Sequence, residues 1–145
     1  MEGMSTIVKK ITQLVAGLIF MYGIYIIMHG HISPGGGFAG GAIVAGAFIL
    51  LILAFGSSAL NLKKEVGGSS NTESVAILMV AVLALMALIF GAKVFLFNFL
   101  PKGTPGELLS AGVIPLYNLF IGIEVAGAIL TIFLALVIFK EESSK

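Results

Sequence analysis

The sequence predicts an all-α, polytopic integral membrane protein with about four transmembrane helices, and three observations carry that reading. Of 145 residues, 59% are hydrophobic and only 10% charged. The mean hydropathy is +1.14, well beyond what a soluble domain of this size shows. The apolar residues gather into runs long enough to cross a bilayer, which takes roughly 20 helical residues. Polar and turn-forming residues fall between the runs and leave little chain for anything else, so residues 1–145 read as a single transmembrane domain.

The first span is placed at about residues 7–28, with Lys9 and Lys10 at its entry and Tyr22 and Tyr25 toward its exit, where tyrosine suits the headgroup boundary. Its apolar run continues to Met28 with no small-x-small cleavage site after it, so it reads as a retained span rather than a signal peptide. The second, about 36–55, follows Ser33-Pro34, a capping serine and a proline suited to the first helical position. The polar stretch GSSALNLKKEVGGSSNTE, residues 56–73, reads as a connector to a third span at about 74–97. Pro101, Pro105 and Pro115 mark the 98–115 segment as a loop, with Asn98 and Asn118 anchoring the helix ends beside it. The fourth span covers about 116–139 and leaves KEESSK as a solvated tail. With four spans, Lys9, Lys10, Lys63, Lys64, Lys140 and Lys145 share one side. Positive residues favour the cytoplasm, so both termini are expected there, in a multi-pass protein of the cell membrane.

Composition also excludes function classes. The chain has no cysteine, hence no disulfide, thiolate metal site or cysteine-held cluster. A net charge of +1 with no basic stripe argues against nucleic acid as a partner. There is no aspartate, and both histidines lie in one turn, which leaves no hydrolytic triad.

The stretch MHGHISPGGGFAGGAI, residues 28–43, is the most distinctive. A phosphate loop would need a G-K-[ST] ending, which is missing. A metal site is disfavoured because His29 and His31 are two residues apart and no carboxylate lies in the loop; helping to shape the turn is the plainer role for both. From Gly35 to Gly46, nine of twelve residues are Gly or Ala, with the pairs Gly36/Gly40, Gly37/Gly41 and Gly41/Ala45 at small-xxx-small spacing. In lipid, helices associate by close packing, and small residues are what permit it. This half of the second span is therefore expected to lie against other helices.

Taken as a string, Gly30, His31, Pro34, Gly35, Gly36, Gly37, Phe38, Gly40 and Gly41 match G-H-x-x-P-G-G-G-F-x-G-G. This resembles the turn and helix of the B subunit of Mrp-type multisubunit Na+/H+ antiporters, and of homologous subunits in archaeal membrane-bound hydrogenase and sulfur-reductase complexes. The last helix reads NLFIGIEVAGA at 118–128, closer to the form of the hydrogenase-type assemblies than to bacterial Mrp subunits. The resemblance implies a non-catalytic membrane subunit in the ion-translocating module of such a complex, working beside other membrane subunits. Na+ would be the transported ion, and any iron–sulfur cluster or nickel–iron site would belong to partner chains. A free-standing Mrp antiporter subunit, a purely structural scaffold and a self-sufficient homo-oligomeric transporter are the rival readings.

Beyond the lysines at the entry of the first span, two charged residues fall inside the expected spans, Lys93 and Glu124. Insertion scales put a central carboxylate at about 2.5–3.5 kcal/mol, so such groups face protein or water and often mark ion routes. Glu124 and Lys93, with His29 and His31 in the turn, are thus the candidates for an ion or proton pathway. A hydrogen-bonded, neutral Glu124 and a Lys93 that snorkels to the headgroups are the structural alternatives.

Overall fold

A computed structural model describes residues 3–56, 62–90, 94–108 and 110–143. Those residues form four α-helices in chain order: α1 (Thr6–Met28), α2 (Gly36–Phe55), α3 (Leu62–Ile89) and α4 (Ile114–Ser143). Each contains a segment long and apolar enough to cross a membrane: Thr6–Met28, Gly36–Phe55, Glu65–Ile89 and Ile114–Lys140. The chain is a multi-pass membrane protein, with α2 packed between α1 and α4, and α3 packed chiefly on α4.

Two boundaries differ from the sequence reading. The third helix does not wait until residue 74 but begins at Leu62, taking in most of the expected 56–73 connector, and it ends at Ile89 rather than near 97. The polar side chains are accommodated because their hydroxyls turn back on the helix. Ser69 donates to the Val66 carbonyl at 3.1 Å, Thr72 to Gly68 at 2.9 Å and Ser74 to Ser70 at 3.0 Å. A hydroxyl satisfied in this way needs no water. The second difference is the start of α2. Ser33 does not cap it and Pro34 does not open it: the Ser33 hydroxyl donates to the His29 carbonyl at 3.1 Å, and Gly35 occupies the N-cap without a side-chain bond. Gly35 and Gly36 have φ of 125° and 62°, a left-handed path into the helix that glycine follows at little cost.

The α2 interfaces are made of backbone against backbone. Gly37 and Gly41 are buried against α4, where an added Cβ would run into the carbonyl oxygens of Asn118 and Gly122 respectively. Gly40 faces α1, where a Cβ would lie 2.8 Å from the Gly23 carbonyl oxygen and 2.5 Å from Ile27 Cγ1. Ile27, only 5% exposed, also fills the space beside Gly122, so one side chain locks α1, α2 and α4 together. The ends are tied as well: Met4 N–H donates to the Ala54 carbonyl at 2.9 Å, and Lys9 Nζ lies 5.7 Å from the centre of the Phe55 ring.

Candidate functional site

Depth in the bundle follows from helix register. Gly127 is the midpoint of the 27-residue Ile114–Lys140 span. At 1.5 Å per residue that span is ~40 Å long, enough to cross the ~30 Å hydrocarbon core with both ends in the headgroups. Across the α3–α4 seam, an added Cβ on Gly127 would lie 3.1 Å from the Ser69 carbonyl oxygen, 3.3 Å from Glu73 N and 3.4 Å from Glu73 Cβ. The hydroxyls of Ser69 and Thr131 meet at 2.8 Å one turn away. Glu73 therefore stands level with the midpoint of the α4 span, half-buried, on a helix segment that the sequence reading takes as a polar connector. This is the functional candidate that sequence reasoning missed. The available signal was the pattern Ser69, Thr72, Glu73, Ala76, whose spacing places small and polar residues on one face of a helix.

Glu124, also half-buried, precedes Gly127 by about one turn on α4. At ~100° per residue it lies within about 20° of Thr131 around the helix axis, on the same flank of the seam. Glu73 and Glu124 thus stand on facing helices, offset along the α4 axis by ~4.5 Å. Among the described residues no ion pair or hydrogen bond engages either carboxylate. Lys93, the other expected intramembrane charge, lies outside the described residues.

The two histidines stand at the far end of the bundle from Lys9 and Lys140, and the fold gives them different work. His29 Nδ1–H donates to the Tyr25 carbonyl at 3.0 Å and its ring stacks on Tyr25 at 4.1 Å, an end to α1. His31 Nε2–H donates to the Glu107 carbonyl at 3.2 Å, pinning the α1–α2 turn to the long loop, while its Nδ1 is buried without a partner. Asn118 accepts from Gly37 N–H at 3.4 Å, and Asn98 accepts from Leu100 N–H and Val113 N–H at 3.2 and 3.1 Å. Of the glycine-motif residues, Gly37, Gly40 and Gly41 are buried, Gly36 is half-buried, and Pro34, Gly35 and Phe38 are exposed, Phe38 at 68%. The described residues contain no group of three or more potential metal ligands among His, Cys, Asp and Glu.

Two adjoining apolar grooves, of about 430 and 450 Å³, run between α1 and α3 over α2 and α4. Phe48 and Leu130 belong to both; Gln13 and Glu65 mark one, Ser69 and Thr72 the other.

Comparison with known proteins gives this arrangement a family. The description "Domain related to MnhB subunit of Na+/H+ antiporter" matches residues 7–131. The chain belongs to the MnhB family. Antiporter subunit mnhB2 of Staphylococcus haemolyticus is 33% identical over 145 residues, covering 94% of this chain and 96% of that protein. An uncharacterized protein of Methanocaldococcus jannaschii is 34% identical over 131 residues, 86% of this chain but 49% of the relative. Among solved structures, the membrane-bound sulfane sulfur reductase, an archaeal respiratory membrane complex, contains a chain that matches with a TM-score of 0.70 and 30% identity. The match covers 89% of this chain and 56% of that one. This MnhB-family chain thus spans about half the length of the archaeal relative and of the structural match, and nearly the whole of the staphylococcal subunit.

Proposed function

We infer that this MnhB-family chain is a membrane subunit of the ion-translocating module of a Mrp-related respiratory complex in the cell membrane, exchanging Na+ and H+ and doing no chemistry alone. Full-length similarity to an antiporter subunit and the fold match to a respiratory membrane complex support the reading. Its lysine-bearing end faces the cytoplasm in this proposal. Within the subunit, the carboxylates of Glu124 and Glu73 belong to the ion route. The observation that carries this is the placement of Glu73 beside Gly127, the centre of the α4 span. Carboxylates on facing membrane helices are groups of the kind from which ion and proton routes are built. His31, whose Nδ1 is buried without a partner, and Lys93 are the further candidates for the route. Redox centres, where the parent complex has them, belong to partner chains.

Glu124→Gln in the assembled complex is expected to lower Na+-dependent proton exchange in membrane vesicles at least tenfold, with subunit stoichiometry unchanged. Wild-type exchange in that variant would return Glu124 to a structural role and favour the scaffold reading, which the backbone-tight glycine seams also fit.

A further inference from the structure

The segment that leads from α3 toward α4 is apolar where a water-washed loop would be polar. Val94, Phe95, Leu96 and Phe97 are 52–63% exposed and Leu100 is 39% exposed. Asn98 is the single polar residue between positions 94 and 100.

Contacts with the two helices fix the depth of this segment. The Phe99 ring stacks on Phe90 with centroids 5.1 Å apart, and Phe90 N–H donates to the Met86 carbonyl at 3.0 Å, so Phe90 continues the last turn of α3. Asn98 Oδ1 accepts from Val113 N–H at 3.1 Å, one residue before α4 begins. Val94 to Phe97 lie in the chain between those two ties. Measured from Ile77, the midpoint of the Glu65–Ile89 span, the end of α3 lies ~18 Å out. Val113 lies ~21 Å from Gly127, the midpoint of the α4 span. Each span, measured by its own midpoint, thus ends in the headgroup layer, which extends from ~15 Å to ~20–22 Å from the bilayer centre.

The chemistry of the segment selects the same layer. Residues 94–100 are not helical, so their backbone lacks the internal bonds that let a chain lie in hydrocarbon. Their side chains form a contiguous apolar patch that bulk water does not favour. The boundary between headgroups and acyl chains is wet enough for the first and apolar enough for the second. The patch also continues a surface already suited to lipid. Leu78, Val82, Leu85 and Ile89, 41–80% exposed, recur at i, i+4, i+7 and i+11 along the α3 span and end beside Phe90.

We propose that Val94–Leu100 is a lipid anchor lying in the membrane interface, at the end of the bundle opposite Lys9 and Lys140. Phe95 and Phe97 insert among the glycerol groups and the first acyl carbons of phospholipids, while Asn98 ties the backbone to α4. The anchor goes beyond the ion-exchange reading and does not rest on it.

The test is photo-crosslinking in the complete complex in native membranes. A diazirine-bearing phenylalanine replaces Phe95 or Phe97, with exposed Thr104 as the control for water, and mass spectrometry identifies what each position captures. The expected result is phospholipid adducts from positions 95 and 97, attached at the glycerol or the first acyl carbons, and water capture at 104. Adducts to another protein chain in place of lipid, water capture as at 104, or lipid adducts confined to the acyl-chain ends would each overturn the proposal. The Phe95→Ser/Phe97→Ser double variant examines the same patch without a probe. Every partner subunit is expected to co-purify at the wild-type ratio, since lipid and not protein covers the two rings; loss of a partner while this chain stays in the membrane would also overturn it.

Discussion

Gly41→Leu is expected to strip this subunit from its complex and leave too little folded chain to purify. The α2–α4 crossing has no space for a side chain there: even a single Cβ would sit 2.5 Å from the Gly122 carbonyl oxygen and 3.0 Å from Val125 Cβ. Both obstacles are part of a helix whose position also sets the α3 seam, so neither yields locally. The milder Gly41→Ala should cost about 1–3 kcal/mol, the usual range for overpacking. Gly46 supplies the control on the same helix. An added Cβ there meets nothing within 4 Å, so Gly46→Ala should be neutral or stabilising by up to ~1 kcal/mol through helix propensity. Thermal unfolding of the purified variants in mild detergent gives both numbers. Equal effects of the two alanine substitutions would mean that the backbone crossing at Gly41 is not tight.

Glu73→Gln is expected to lower Na+-dependent proton exchange at least as much as Glu124→Gln, and the double variant to be no worse than either alone. The reason is that in the proposed route both carboxylates serve the same ion, so removing either charge interrupts it. Glutamine preserves side-chain volume and hydrogen bonding, so assembly should survive in all three variants. Rates measured in vesicles at several Na+ concentrations complete the cycle. Additive losses would assign the two groups to separate steps, and an unaffected Glu73 variant would remove it from the route.

The four helices were legible in the sequence because lipid imposes long apolar runs, and such runs need no knowledge of neighbours. The packing role of Gly37, Gly40 and Gly41 was legible for a similar reason: glycines cost helix stability unless a close neighbour compensates. What could not be read from hydropathy was α3. Residues 65–74 look solvated to any scale that scores side chains singly, yet Ser69, Thr72 and Ser74 return their hydroxyls to carbonyls of their own helix, and Ser69 adds a bond to Thr131. That internal satisfaction hides their polarity and lets the helix run through Glu73. The expected cap at Ser33 failed through competition of the same kind. Two glycines with positive φ turn the chain into α2, and the serine hydroxyl is spent on His29 instead. Phe38, part of the family string, points away from the rest of the chain, so its contribution lies with whatever stands outside this subunit.

The most direct measurement is an electron cryo-microscopy map of the whole complex in lipid nanodiscs, resolving α3 against the density of the bilayer. The expected map shows α3 helical from Leu62, with the Glu73 Cα within about 5 Å of the midplane, as the ~1.5 Å rise and the Gly127 contact require. A map in which residues 56–73 form a loop outside the lipid slab, with Glu73 in bulk water, would contradict it.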